Sequence, residues 1–286
     1  MIVEGMLEDF NNYPLTKSER DGVNDNLKST MSFSKLYRGN CITASCLLSI
    51  PPLIVKAKYT PPTSMHIPYD ITSDKVYIVT YSYQVILVVI SAHLNTIIDI
   101  LFIKLVTLAT CLFEVLIQRL NKIGYFMDME AEQHFKQCLI FHNKTLRFID
   151  IIEKLYRYVT FSQLAGSVAV ICFGAFGMVI APIASGDFVV NVAFFINMVS
   201  QVALYCWYGH NMRALSVDLN NACYMSKWYN TSKKLKKMLI IFMERSKKPA
   251  YLTAGKLFPM TLTTLTLILR SSYSYFAVLQ QIYSEK

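Results

Sequence analysis

The stretch from Tyr158 to Gly186, YVTFSQLAGSVAVICFGAFGMVIAPIASG, contains no charged residue. A helix of about 20 mostly apolar residues crosses the roughly 30 Å hydrocarbon core of a bilayer, so this stretch is long enough to span one. Within it, Val168 to Ile183 has no polar stripe of the kind that a surface helix of a soluble protein carries. The stretch therefore predicts a membrane-spanning helix.

The composition of the whole chain has the same apolar excess. Of its 286 residues, 53% are hydrophobic and only 16% are charged, whereas a soluble domain carries about 25% charged residues. The apolar residues are concentrated in the gaps between charges. These gaps predict five spans, at about 39–58, 76–103, 158–183, 188–212 and 257–283.

The positive charges predict the orientation. The chain has a net charge of +9, from 28 Lys and Arg against 19 Asp and Glu. Five Lys and Arg precede the first span, seven lie in 114–157 and ten in 213–256, against three in 56–75 and none in 183–187. Because cytoplasmic loops are enriched in Lys and Arg, this alternation predicts a cytoplasmic amino terminus and, with five spans, an extracellular carboxy terminus.

Two long cytoplasmic regions, about 104–157 and 213–256, are patterned as helices. Apolar residues recur at helical spacing among charged ones, from Phe135 to Tyr156 and from Leu235 to Phe242. Two interpretations remain open. The regions form a helical bundle that holds subunits together, or they are amphipathic helices that lie on anionic lipid.

Signatures of catalysis and nucleic-acid binding are absent from the sequence. It contains no glycine-rich phosphate loop, no paired-cysteine metal spacing and no serine-centred elbow. The basic residues coincide with membrane-side loops and not with a nucleic-acid module. We therefore expect no enzyme, no cofactor, no metal and no nucleic-acid partner.

The last predicted span is unusually polar. Arg270 lies about halfway along it, among many Ser, Thr and Gln residues. Such a helix suits one wall of a water-filled path through the membrane. The alternative is that the hydroxyl groups join this helix to its neighbours.

The carboxy-terminal sequence resembles a known family. The run Leu267 to Leu279, LILRSSYSYFAVL, with Ser274, Tyr275 and Phe276 as its motif, resembles the last helix of insect odorant receptors. The segment Tyr205 to Gly209, YCWYG, resembles the same family. Gustatory receptors of the same superfamily are the alternative, but their hallmark Thr-Tyr, five residues, Gln-Phe is matched here only in part, by Ser274-Tyr275 and Gln281-Ile282.

The resemblance implies an all-α, polytopic membrane helical bundle. Members of the family have seven spans, a cytoplasmic amino terminus and an extracellular carboxy terminus. They are expected in the plasma membrane of olfactory sensory neurons, where they form heterotetramers with an odorant co-receptor. These channels conduct cations nonselectively and open on binding volatile ligands. Only five of the seven spans are recognisable here, so we expect the chain to be truncated at its amino end and the odorant pocket to be incomplete.

The resemblance also implies site residues. The pore and gate positions of the family correspond to Val278, Gln281 and Ile282, which share one face of the last helix. The odorant pocket is expected among the outer halves of the spans, at Ser49, Ile50, Tyr83, Ile86, Ile90, Phe195 and Met198.

A G-protein-coupled receptor and a transporter are less favoured alternatives. The Asn-Pro-x-x-Tyr and Asp-Arg-Tyr motifs of the former are absent, and so is a pair of broken-helix repeats typical of the latter.

Overall fold

The computed structural model describes residues 15–49, 67–70, 73–182 and 185–284, and these residues are overwhelmingly helical. Six α-helices occur among them: α1 (Lys17–Ser49), α2 (Asp74–Asn121), α3 (Asp128–Ile180), α4 (Gly186–Met225), α5 (Lys233–Ser246) and α6 (Leu262–Ser284). Two 3₁₀-helices, Ile123–Tyr125 and Trp228–Asn230, connect α2 to α3 and α4 to α5. Strands β1 (Thr253–Ala254) and β2 (Phe258–Pro259) form a small antiparallel hairpin. The all-α prediction is confirmed.

Three of the helical segments in the described residues are long and apolar enough to cross a membrane. They are Asp74–Tyr125, Met129–Ile180 and Phe188–Met225, and they contain the predicted spans 76–103 and 188–212 and most of 158–183. With 53 residues, α3 is about 80 Å long and exceeds the roughly 30 Å of hydrocarbon. Each such helix therefore has a part that extends beyond any bilayer it crosses. The five predicted spans and their orientation stay predictions.

The chain divides into two compact units, and the long helices contribute to both. Unit 1 comprises Met1–Met31, Phe102–Ser162 and Leu204–Thr264, and unit 2 comprises Ser32–Leu101, Gln163–Ala203 and Leu265–Lys286. Unit 1 thus consists mainly of the two regions that the sequence assigns to the cytoplasm.

Unit 1 has a continuous hydrophobic core. The predicted apolar stripes supply much of it, with Phe135, Ile149, Ile152 and Tyr156 from α3 and Leu235, Leu239 and Phe242 from α5. These side chains are buried within unit 1 and cannot lie on lipid. Of the two open interpretations, the packing supports the helical bundle, while its role in holding subunits together stays a prediction.

Glycine permits a close approach between two connections of unit 1. A Cβ on Gly124 would come 2.7 Å from the carbonyl oxygen of Lys227 and would also meet the Cβ of Lys227. Gly124 and Lys227 lie at the two 3₁₀-helices, which contact each other. Only a residue without a side chain fits there, so Gly124 sets the distance between these connections.

The hairpin between α5 and α6 also depends on glycine. Gly255 has a φ of 62°, which L-residues rarely adopt, and its N–H donates to the carbonyl oxygen of Arg157 at 2.9 Å. A Cβ there would come 2.7 Å from the ring of Phe161. The hairpin is thereby held against α3 just before α6 begins.

Candidate functional site

A cavity of about 180 Å³ lies within unit 2, between α1, α2 and α4. Each helix contributes residues three, four or seven positions apart, which share one helical face. The lining includes Tyr37 and Cys41 on α1, Val88, Ala92 and Asp99 on α2, and Phe194, Met198 and Gln201 on α4. Apolar and polar side chains both face the cavity.

A buried carboxylate organises the polar part of the lining. Oδ2 of Asp99 accepts hydrogen bonds from the Tyr37 hydroxyl at 2.8 Å and from Nε2 of Gln201 at 2.7 Å. Oε1 of Gln201 in turn accepts from Nε2 of Gln163 at 2.5 Å. Asp99 is only 4% exposed, and a carboxylate this buried needs such donors to offset the cost of leaving water. We call Tyr37, Asp99, Gln163 and Gln201 the Asp99 network.

Asn197, one turn before Gln201 on α4, forms a second polar contact with α1. Its Oδ1 accepts from Nδ2 of Asn40 at 3.3 Å and from the Cys41 thiol at 3.4 Å. Asn197 and Gln201 therefore place amide groups at neighbouring positions of the cavity wall.

The size and lining of the cavity suit a small, mostly apolar molecule. A cavity of about 150 Å³ is known to hold a benzene ring, so this cavity accommodates a ring with few substituents. Ligand sites of this type combine apolar walls with a few polar groups that fix orientation. Here Val88, Ala92 and Met198 supply apolar wall, and the amides and carboxylate supply polar anchors.

The predicted pocket residues fall in different places. Met198 lines the cavity. Phe195 is half-buried and lies near Gly174 of α3, where an added Cβ would be 3.8 Å from its ring. Tyr83, Ile86 and Ile90 are each more than half exposed, on a face of α2 that does not line the cavity. The side chain of Ser49 and all of Ile50 lie outside the described residues.

Sequence reasoning missed the polar members of the cavity, namely Tyr37, Asp99 and Gln201. The sequence contained a signal for Asp99, because an ionisable residue near the end of a predicted span usually faces protein or water and has a partner. Asn197 and Gln201 are also four residues apart in a mostly apolar span, a spacing that places them on one face.

The predicted gate residues lie on an exposed face of α6. Val278 is 56% and Ile282 is 53% exposed, and Gln281 is exposed as well. Other residues of α6 contact α3. The Ser272 hydroxyl donates a hydrogen bond to the Val168 carbonyl oxygen at 3.2 Å, and the ring of Tyr283 packs against the ring of Phe176. The side chains of all three gate residues are thus exposed in a single chain, and we call the side of α6 that carries them the gate face.

The family motif lies on the same helix. The Ser274 hydroxyl donates to the Arg270 carbonyl oxygen at 3.1 Å, Tyr275 is 61% exposed and Phe276 is half-buried. An exposed aromatic ring one turn before Val278 extends the gate face along the helix.

Residues 2–273 match the model of the seven-transmembrane odorant receptor family. Odorant receptor 85b of Drosophila melanogaster is 28% identical over 189 residues, which cover 65% of this chain and 48% of that protein. Odorant receptor Or2 of Anopheles gambiae is 24% identical over 271 residues, which cover 89% and 69% respectively. The chain spans about half the length of several relatives it matches.

A solved structure has a similar fold. The insect olfactory receptor OR5 of Machilis hrabei in complex with eugenol superposes with a TM-score of 0.83 and 17% identity, over 98% of this chain and 74% of that one. A second structure of the same receptor gives a TM-score of 0.72 at 18% identity, over 92% of this chain and 70% of that one. The likeness at this level of identity establishes a common fold.

Proposed function

Because this chain belongs to the seven-transmembrane odorant receptor family, we propose that it is an olfactory receptor subunit that binds a volatile ligand in the unit 2 cavity. The family is one of receptors and not of enzymes. The cavity between α1, α2 and α4 is the observation that carries the assignment of the ligand, because its size and mixed lining match a small odorant.

The polar lining restricts the class of ligand. A molecule with an aromatic or aliphatic body and one hydroxyl or carbonyl group places its body against Val88, Ala92 and Met198. Its polar group then hydrogen-bonds to the amide of Asn197 or Gln201. The Machilis receptor of the same fold was solved with eugenol, a small aromatic molecule of this kind.

The proposed response is the opening of a cation channel. The subunit assembles with an odorant co-receptor into a heterotetramer in the plasma membrane of olfactory neurons, and α6 lines the pore with Val278, Gln281 and Ile282. Odorant favours the open state only if it binds that state more tightly than the closed one. The exposure of the gate face in a single chain supports this arrangement.

Ala92→Phe tests the ligand site. The added ring occupies the cavity, so the odorant concentration for half-maximal current should rise at least about tenfold, in cells that co-express the co-receptor. The matched control is Ser91→Phe, which adds the same ring on the exposed side of α2. An unchanged response in Ala92→Phe, or an equal loss in both variants, would contradict the assignment of this cavity.

A further inference from the structure

A second cavity, of about 450 Å³, lies within unit 1 and has a different lining. It is formed by one face of α3, the end of α5 and the chain that leads through β1 to the hairpin turn. Its charged side chains are Asp150 and Glu153 from α3, Arg245 from α5, Lys248 from the following connection and Lys256 from the turn. We call these five residues the charged cavity, and the proposed odorant site does not include them.

Charges of both signs line this cavity without neutralising each other. Among the residues that the structure describes, none of the five forms an ion pair within 4 Å. Glu153 is oriented by the hydroxyl of Thr253, which donates a hydrogen bond to its Oε1. Three cationic and two anionic groups therefore surround a space that is large enough for a polar molecule, with a net charge of +1.

The position along α3 places the charged cavity at the edge of the predicted membrane. The third predicted span begins at Tyr158, five residues after Glu153, which corresponds to about 7.5 Å along the helix. The lipid headgroup layer is roughly 5–8 Å thick on each side of the hydrocarbon. Glu153 and Asp150 are then at or just below the depth of the headgroups, on the side that the charge distribution assigns to the cytoplasm.

Exposed aromatic and apolar side chains surround the same region. Tyr158 is 68%, Leu257 68%, Tyr251 49% and Phe258 42% exposed. Aromatic residues are enriched where a protein crosses the membrane–water interface, because their rings suit the headgroup level. The hairpin carries Lys256, Leu257 and Phe258, and together with Tyr158 on α3 it has the composition of a lipid-contacting surface.

We propose that the charged cavity binds the headgroup of phosphatidylserine from the cytoplasmic leaflet, a proposal that rests on the predicted orientation of the chain. The phosphate and carboxylate of this headgroup contact Arg245, Lys248 and Lys256, and its ammonium group contacts Asp150 and Glu153. The net charge of −1 on the lipid matches the net +1 of the cavity.

Other headgroups match less well. Phosphatidylglycerol has no cation and leaves both carboxylates unpaired. A polyphosphorylated inositol lipid brings several negative charges close to the carboxylates of Asp150 and Glu153, and these like charges repel each other. Phosphatidylcholine has no net charge and its ammonium group cannot donate hydrogen bonds. The two carboxylates, Asp150 and Glu153, thus select phosphatidylserine among anionic lipids.

The test measures which lipids stay bound to the purified protein. The protein is reconstituted into phosphatidylcholine vesicles that contain equal fractions of phosphatidylserine or phosphatidylglycerol. It is then extracted with detergent and the retained lipid is quantified by mass spectrometry. We expect severalfold more phosphatidylserine than phosphatidylglycerol. Replacing Arg245, Lys248 and Lys256 with Gln should reduce retention about tenfold or more.

Matched variants separate the cavity from general basic charge. Lys233→Gln, Lys236→Gln and Lys237→Gln together remove the same charge from the other end of α5 and should leave retention unchanged. Asp150→Asn should abolish the preference for phosphatidylserine over phosphatidylglycerol, whereas Asp218→Asn, an exposed carboxylate on α4, should preserve it.

Added solutes distinguish a lipid headgroup from free phosphate. Glycerophosphoserine should displace the bound lipid and inorganic phosphate should not. Equal retention of the two anionic lipids, an equal effect of the two triple variants, or displacement by inorganic phosphate would overturn the proposal. The readout does not involve odorant-evoked current, so a failure of the proposed receptor function is detected separately.

Discussion

Asp99 is the residue around which the proposed odorant site is organised. Its carboxylate is buried and accepts from Tyr37 on α1 and Gln201 on α4. One side chain thereby joins three helices of unit 2 and determines which faces of α1 and α4 line the cavity. Loss of one donor reduces the hydrogen bonding that compensates for the burial of this carboxylate, which is costly in a low-dielectric environment.

Tyr37→Phe should destabilise the protein by about 1–2 kcal/mol, because it removes the hydroxyl donor and preserves the ring. The measurement is the midpoint of thermal unfolding in detergent, which should fall. Tyr83→Phe removes a hydroxyl from a side chain that is 59% exposed and should leave the midpoint unchanged. Equal midpoints for both variants would show that the Asp99 network contributes little.

Glu19 and Arg119 form the corresponding buried contact of unit 1. The Arg119 guanidinium donates to both carboxylate oxygens of Glu19, at 2.9 and 2.8 Å, and Cζ of Arg119 lies 5.3 Å from the centre of the Phe141 ring. Burial raises the pKa of Glu19, but the bonds from Arg119 and from the Thr16 N–H outweigh it and lower the pKa below 4.5. The pair therefore stabilises the fold above about pH 4.5, and this stabilisation is lost as the pH falls through the lowered pKa.

Glu19→Gln should destabilise the protein by about 3–5 kcal/mol at neutral pH, because it removes the carboxylate charge that pairs with the buried Arg119 guanidinium. The loss is measured by thermal unfolding, and the difference from wild type should narrow as the pH drops below about 4.5. Glu244→Gln, which breaks an exposed pair with Lys247 at 2.6 Å, should cost less than about 1 kcal/mol. A cost for Glu19→Gln as small as this control would refute the role of the buried pair.

At the scale of elements, the long helices are positioned by short connections with strict steric demands. The amino end of α1 is capped reciprocally, since Thr16 N–H donates to Glu19 at 2.9 Å and Glu19 N–H donates to the Thr16 hydroxyl at 3.4 Å. In the connection between α2 and α3, Gly124 allows one 3₁₀-helix to contact the other, which connects α4 to α5. On α4, an added Cβ on Gly209 would lie 2.6 Å from the carbonyl oxygen of Met260, just before α6.

Gly124→Ala should destabilise unit 1 by about 1–3 kcal/mol, because the new Cβ forces backbone to move at Lys227. Gly22→Ala is the matched control. An added Cβ at Gly22 meets nothing within 4 Å, and alanine favours the helix, so this variant should gain up to about 1 kcal/mol. Thermal unfolding of both variants decides the matter, and a neutral Gly124→Ala would contradict the close approach.

At the scale of the whole molecule, function depends on orientation and on assembly. The clustering of Lys and Arg predicts that regions 104–157 and 213–256 are cytoplasmic. The lipid proposed for the charged cavity and the predicted extracellular position of the end of α6 both depend on this orientation. We propose that the gate face lines a pore when several subunits bring it together.

An epitope at the carboxy terminus should be stained on intact cells, and one at the amino terminus only after permeabilisation. Asn143 and Asn230, which begin glycosylation sequons in the predicted cytoplasmic regions, should remain unmodified. A carboxy-terminal epitope that is hidden on intact cells, or a glycan on either asparagine, would contradict the orientation.

Val278→Cys and Gln281→Cys should make the odorant-evoked current sensitive to a charged thiol reagent, because both positions are proposed to line the pore. Tyr273→Cys provides the control. Tyr273 is 70% exposed, but it lies about 140° around α6 from Val278 and about 80° from Gln281. Equal block at all three positions, or none at Val278 and Gln281, would show that this face does not line the pore.

The helical class followed from the sequence alone, and three of the apolar runs that the sequence identifies coincide largely with helices long enough to cross a membrane. Long runs without charge, such as 158–186, are a local property, and the cost of charges in hydrocarbon acts on each segment separately. The apolar stripes of α3 and α5 were likewise predictable, because helical periodicity identifies the buried face from one segment.

The cavity, the Asp99 network and the charged cavity were decided only by the tertiary structure. Asp99 meets Tyr37 and Gln201 across 62 and 102 residues of sequence, and periodicity cannot say which helix a buried face will contact. Of the pocket residues predicted along α2, Tyr83, Ile86 and Ile90 lie on an exposed face, whereas Val88, Ala92 and Asp99 line the cavity. Apolar side chains lie on both of these faces of α2, so hydrophobicity alone does not distinguish them, and packing against neighbouring helices does.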